Sequence, residues 1–160
     1  MHAPTLLLAA RLPRTDLGPA APGGRRPRRP AWQGTYPPAR ASVTLARHAA
    51  VDALREEGLA GADLDAAELV LGELISNAVV HAGTRFTVLA GRDGPTMHIE
   101  VIDLDARPPV LQEPGPDAPS GRGLRLVDGI ADAWGWEGGT SAAGVHHKCV
   151  WADVRIGASA

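Results

Sequence analysis

Between residues 68 and 82, the apolar positions Leu71, Leu74, Ile75, Ala78, Val79 and Ala82 gather on one side of a helix drawn at 100° per residue. Beside them Glu73, Asn77 and His81 recur at i, i+4 and i+8, a polar ridge of carboxylate, carboxamide and imidazole. The stretch contains no Lys or Arg, the side chains that usually clothe a solvated helix face. The spacing predicts a helix over residues 65–82, with Asp63 as its cap, Leu64 tucked behind and Gly83 as its stop. An earlier helix is predicted over 39–57, where Val43, Ala46, Ala50, Val51 and Leu54 keep helical spacing and Gly58 follows.

Elsewhere the pattern changes to strands and loops. Residues 34–36 read as a short edge strand ended by Pro37 and Pro38. Segments 85–90 and 97–103 are β-rich, and Arg92-Asp-Gly-Pro95 supplies the turn between them. Residues 104–122 hold five prolines and no periodicity, which predicts a long loop of the kind that tends to be functional. A helix over 124–133 opens after Gly121-Arg-Gly123, and strands over 134–137 and 147–156 close the chain across a flexible 138–144. Helix, helix, hairpin, loop, helix, hairpin is the order of an α+β fold. We expect a two-layer sandwich with a mixed, mainly antiparallel sheet and helices on one face.

Composition narrows the picture. One domain is expected of 160 residues, and a net charge of −2 does not suggest direct nucleic-acid binding. That average hides a split. Residues 1–40 carry seven arginines, one acid and eight of the fourteen prolines, whereas the remainder has a net charge of −8. Residues 1–33 are therefore expected to be a disordered Pro/Arg-rich tail, and 34–157 the folded domain. The run Leu6-Leu7-Leu8-Ala9-Ala10 is too short for a signal peptide, and basic residues follow rather than precede it. No window is long enough to span a membrane, and the single cysteine, Cys149, fits a reducing compartment, so a cytoplasmic location is expected. Lys148 is the one lysine beside fifteen arginines.

The candidate chemistry sits at four places. Asp103, at a strand end before the Pro-rich loop, can accept a hydrogen bond from an exocyclic amine such as that of adenine. It can equally initiate a turn. Gly121 and Gly123 at a helix start let backbone N–H groups approach phosphate, although a Gly-x-Gly pair is more often a plain turn. Arg122, Arg125 and Lys148 can add positive charge there or face solvent. Asn77 offers a neutral oxygen suited to Mg²⁺, and Glu73 can take a proton from a hydroxyl or water near a terminal phosphate.

Taken in order along the chain, these stretches resemble a family. Glu73-Leu-Ile-Ser-Asn77-Ala-Val-Val-His81 is similar to the N-box of the histidine-kinase-like (GHKL, Bergerat-fold) ATPases. Val101-Ile-Asp103 is similar to their adenine-binding box, and Gly121-Arg-Gly123-Leu124-Arg-Leu-Val127 to their second glycine box. Lys148-Cys-Val-Trp151 resembles the closing strand of many members, and the likeness covers residues 34–156. Within that family the resemblance is particularly to the bacterial anti-sigma-factor serine/threonine kinases. The resemblance implies a site for ATP and Mg²⁺. It implies Glu73 as catalytic base, Asn77 for the metal, and Asn77, His81, Asp103, Gly121, Arg122, Gly123, Leu124 and Lys148 around the nucleotide. It also implies phosphorylation of a serine on an antagonist protein, with a sigma factor as alternative partner and a homodimer possible. A non-catalytic module that sequesters a partner is the alternative, ahead of the ATP-binding part of a histidine kinase. One position departs from the pattern. Asp105 stands where members commonly carry Gly or Ser, and a second carboxylate there is expected to repel phosphates unless it points away.

Overall fold

The computed structural model describes residues 29–109 and 123–157. The order is β1 (Trp32–Tyr36), α1 (Arg40–Glu56), α2 (Ala62–Asn77) continued by a π-helical turn (Ala78–Ala82), β2 (Phe86–Asp93), β3 (Thr96–Asp103), α3 (Gly123–Ile130), β4 (Ala133–Thr140) and β5 (His146–Arg155). The strands form one sheet in the order β1-β2-β3-β5-β4. Every ladder in it is antiparallel, where the expectation allowed for a mixed sheet. An α+β fold with α1, α2 and α3 packed on the sheet is what the pattern predicted. The described residues contain no helix long and apolar enough to cross a membrane.

Alternation along the strands decides what meets the helices. Phe86, Val88 and Ala90 of β2, Met97, Ile99 and Val101 of β3, and Val150, Ala152 and Val154 of β5 share one face. They join Ala46, Ala50 and Leu54 of α1 and Val70, Leu71, Leu74 and Ile75 of α2 in a single core. Each fully buried Leu, Ile or Phe there contributes about 1.5–3 kcal/mol. The helix faces predicted from spacing are those that bury, although Val43 and Val79 are only partly covered.

Helix ends moved. The helix predicted over 65–82 begins at Ala62, after Gly61 with φ 53°, and Asp63 does not cap it. Its carboxylate instead accepts the Gly157 N–H at 3.0 Å, tying the start of α2 to the end of β5. The last turn widens to i→i+5 bonding, Gly83 N–H to Ala78 C=O at 3.1 Å, and Gly83 closes it at φ 62°. The stretch expected to be flexible between the last strands is mostly strand. Gly138 and Gly139 pair with Lys148 and His147, and only 141–145 turn the chain. A Cβ at Gly135 would meet the buried Trp151 ring at 2.9 Å, a clash that glycine avoids.

The face turned away from the helices is also closed to solvent. Leu89, Ile102 and Cys149 form a small cluster on it, and Thr87, His98, Glu100 and Trp151 are buried. His98 lies between two carboxylates, with Nε2 2.9 Å from Glu100 Oε1 and Nδ1 against Asp153 Oδ1, and its ring stacks on Trp151. Across the ladder from His98 on β2 stands Gly91, which adds no charge. Burial by itself pulls the His98 pKa down, but the hydrogen bonds and charges of Glu100 and Asp153 outweigh it and raise the pKa above 6.5. A raised folded-state pKa stabilises the fold fully below pH 6.5, and that contribution is lost as pH rises through the folded value. Urea midpoints for the wild type are therefore expected to fall from pH 6 to pH 8.5. His98→Gln is expected to be less stable at pH 6 and to show a smaller fall. Equal pH slopes for the two proteins would refute the assignment.

Candidate functional site

The site forms where α2, the edge of the helix layer and the far ends of β3 and β5 meet. The inward period-two positions that bury Val101 and Val150 also aim Asp103 and Lys148 to the helix side, one row further along. Here the helices no longer cover the sheet completely, and a pocket of about 210 Å³ opens. Leu74, Ala78, Val101, Leu124 and Val150 make its apolar wall, and Asn77, His81, Asp103, Asp105, Arg107, Gly123 and Lys148 supply polar groups.

Six of the predicted site residues line this pocket: Asn77, His81, Asp103, Gly123, Leu124 and Lys148. Gly121 and Arg122 lie outside the described residues. Glu73 does not line it. Its side chain opens onto a neighbouring depression with Arg47, Glu68 and Ser76, yet its carboxylate sits directly against α3. A Cβ on Gly123 would collide with Glu73 Oε2 and stand 3.7 Å from Asn77 Oδ1. Glu73 and Asn77, one turn apart, thus both face the first residue of α3. That close approach is what Gly123 permits. His81 is displaced from the simple i+8 ridge because the π turn inserts an extra residue per bond. It is exposed at the rim, and its backbone carbonyl accepts Arg107 Nη2 at 3.3 Å.

Two acid–base pairs stand at the start of the loop after β3. Asp103 is buried. Its Oδ1 accepts the Asp105 N–H at 2.9 Å, and its Oδ2 lies 3.5 Å from Lys148 Nζ. Burial raises the Asp103 pKa above the ordinary value, and the Asp105 N–H and Lys148 oppose the rise. Lys148 Nζ also donates to the Arg107 carbonyl at 3.1 Å, which fixes the loop against β5. Asp105 lines the pocket rather than pointing away from it. It does not stand there as an uncompensated charge, because Arg107 Nε and Nη2 grip its carboxylate at 3.0 and 2.7 Å. With the Arg107 N–H at 3.0 Å, this lowers the Asp105 pKa to about 2. Thr84 Oγ1, accepting the Leu104 N–H at 3.0 Å, anchors the same loop to the end of the helix.

Arg107, Pro108 and Pro109 are the pocket residues that sequence reasoning missed, along with Leu74, Ala78, Val101 and Val150 of the apolar wall. The available signal was Arg107 two residues after the departure at Asp105, a spacing that lets a guanidinium fold back onto a carboxylate. The arrangement suits a flat polar-edged group. Apolar side chains flank it, a carboxylate and an ammonium lie at its inner end, and a helix start stands at its mouth. The base of ATP fits that description, and phosphates would extend toward Gly123 and Asn77. Among the described residues no group of three or more His, Cys, Asp or Glu could hold a metal ion.

A family model for the histidine kinase-like ATPase domain matches residues 36–146, and no curated protein matches the chain. The match takes in α1, α2, the β2–β3 hairpin, the pocket side chains of α2 and β3 and the start of α3. It thus covers most of the ordered elements and more than half of the sequence. On that match, supported by the antiparallel sheet with three helices, the chain belongs to the histidine kinase-like ATPase domain family.

Proposed function

We propose that the protein is an ATP-binding regulator of the anti-sigma-factor type, a cytoplasmic serine/threonine kinase acting on an antagonist protein. One observation carries the reading. Asn77, His81, Asp103, Gly123, Leu124 and Lys148, far apart in sequence, line a single pocket, and Glu73 abuts the helix start at its mouth. Asp103 would accept the adenine amino group, and the apolar wall would sandwich the base. The start of α3, with no side chain at Gly123, would hold phosphate oxygens at the positive end of the helix. Asn77 would hold Mg²⁺. Bound Mg-ATP would supply the phosphoryl group. Glu73 would accept the proton from the serine hydroxyl of the antagonist as that oxygen bonds to the γ-phosphorus, the bond from that phosphorus to the β–γ bridging oxygen breaks, and ADP leaves. A sigma factor is the second partner class, and pairing of two copies would present two such sites.

A second reading rests on the position of Glu73. Because its carboxylate opens beside the pocket rather than into it, the chain also reads as a nucleotide-binding module that sequesters its partner without phosphorylating it.

Calorimetry and phosphotransfer separate these readings. Asp103→Asn is expected to weaken Mg-ATP binding, whereas Asp93→Asn in the hairpin turn leaves it unchanged; equal affinities would remove Asp103 from the site. Asn77→Ala is expected to reduce both binding and transfer. Glu73→Gln keeps shape but removes the base, so affinity should hold while transfer from labelled ATP to a co-purified antagonist falls about a hundred- to ten-thousandfold. A wild type that binds its partner and transfers nothing favours sequestration.

Arg107 gives a further test. Arg107→Ala leaves Asp105 without its cation, so the Asp105 carboxyl should titrate closer to the ordinary 3.8 than to about 2 by NMR. ATP affinity is expected to drop several-fold at low ionic strength and less at high salt. Adding Asp105→Ser to that variant should restore affinity. A drop that the second substitution does not repair would mean that Arg107 acts on the loop rather than through Asp105.

A further inference from the structure

Helices close only one face of this sheet, yet both faces are buried. On the outer face Trp151, Glu100 and Leu89 stand in one row across β5, β3 and β2, and Cys149, Ile102 and Thr87 in the next. All six are less than a tenth exposed, whereas α1, α2 and α3 pack on the opposite face. Glu100 and Asp153 flank one imidazole there, and Glu137 stands beside Cys149, so the face is acidic. At its rim on β1, Gln33 Nε2 is closed off from solvent and has no hydrogen-bond partner among the described residues. A buried amide donor calls for an acceptor above the sheet. The burial is complete within one chain, so the cover does not require a second copy. Pro109 and Gly123, on either side of residues 110–122, line the pocket on the helix side, and Gly157, before 158–160, is held by Asp63 of α2. Residues 1–28 instead join the sheet at β1, where Gln33 pairs with Leu89 and Thr35 with Thr87.

We propose that residues 22–28 cross the outer sheet face as an extended strap, set their arginines on Glu100 and Asp153, and seal that face as an intramolecular docking surface. The segment carries Arg25, Arg26 and Arg28 beside Pro22 and Pro27, so its charge is opposite to that of the face. From β1 to β5 is three strand spacings, roughly 14 Å, which about five extended residues cover. The three arginines therefore fall within reach of both carboxylates, whereas Arg11 and Arg14 lie much further along the chain. A proline-rich extended chain needs no ladder hydrogen bonds, so it can lie across a sheet rather than along its edge. Guanidinium forks match carboxylates, and a strap carbonyl takes the Gln33 amide. This departs from the disordered tail that composition predicts for the residues nearest β1. It is independent of the nucleotide reading, because the outer face lies across the sheet from the pocket. Displacing the strap would uncover a second interaction surface, apolar at Leu89, Ile102 and Trp151.

Cys149, the only cysteine of the chain, reports on this face. The test follows its labelling by dithiobis(nitrobenzoate) on the full chain, in the wild type and in a variant combining Arg25→Glu, Arg26→Glu and Arg28→Glu. The variant is expected to label about tenfold or more faster than the wild type, because reactivity follows exposure of the thiol. A control combining Arg11→Glu and Arg14→Glu is expected to label at the wild-type rate. Equal rates for the wild type and the triple variant would overturn the proposal. Protection of Cys149 that is lost on dilution would also overturn it and give the face to a second copy. A measurement on the wild type alone stands even if the triple variant does not fold. Trypsin is expected to cut after Arg25 and Arg28 about tenfold or more slowly in the folded chain than in a synthetic peptide of residues 1–33, and after Arg11 and Arg14 at similar rates in both. Cleavage after Arg25 and Arg28 at the peptide's rate would remove the strap from the face.

Discussion

The site depends on one packing contact, the apolar face of α2 pressed onto the inner face of the sheet. Val70, Leu71, Leu74 and Ile75 are fully or almost fully buried in the core that also holds Ile99, Val101, Val150 and Ala152. This contact fixes the helix in rotation about its own axis. With the apolar side down, Glu73 and Asn77 are carried to the margin, where α3 begins. A rotation of a few tens of degrees would bury them or turn them to solvent, and the core would lose several buried aliphatic side chains for it. The polar ridge therefore takes its precision from hydrophobic burial rather than from its own hydrogen bonds.

The pocket floor is set by a different constraint, the need to keep charges paired where water is scarce. Asp103 and Lys148 are both closed off from solvent, and Asp105 is half-buried beside them with Arg107 folded over it. Each carboxylate has a cation, and the two pairs are joined through the Asp105 N–H and the Arg107 carbonyl. Charge balance allows two acids to stand in a site read as a receptacle for an anionic ligand. It also makes the first residues of the loop part of the floor, held by His81 on one side and Lys148 on the other. The π turn at the end of α2 contributes by placing the His81 carbonyl within reach of Arg107.

The opposite face of the sheet follows the same rule without a pocket. His98 bridges Glu100 and Asp153 across neighbouring strands, so a buried carboxylate is matched by an imidazole whose pKa is raised in return. Both sheet faces being closed explains why β2, β3 and β5 read as nearly continuous buried runs rather than clean alternation.

The sequence by itself determined the element types, their order and the helix faces, because burial imposes a period of 3.6 or 2 that Leu71, Leu74 and Ile75 or Met97, Ile99 and Val101 obey wherever they sit. It also determined the pairing of Glu73 with Asn77, since residues four apart on a helix must lie on one side. The motif order identified the family and Asp103, Gly123 and Lys148 as site candidates. Only the tertiary structure decided what those side chains meet. Asp63 reads locally as a helix cap and becomes an acceptor for Gly157, ninety-four residues away. Asp105 reads as repulsive until Arg107 is seen gripping it, and Glu73 reads as aimed into the site until α3 is placed against it. Lys148 is one lysine in a string of residues until β5 pairs with β3 and sets it opposite Asp103. Local periodicity reports which side of an element is apolar, whereas distances between charges on different elements come from strand register and helix docking, which no single stretch encodes.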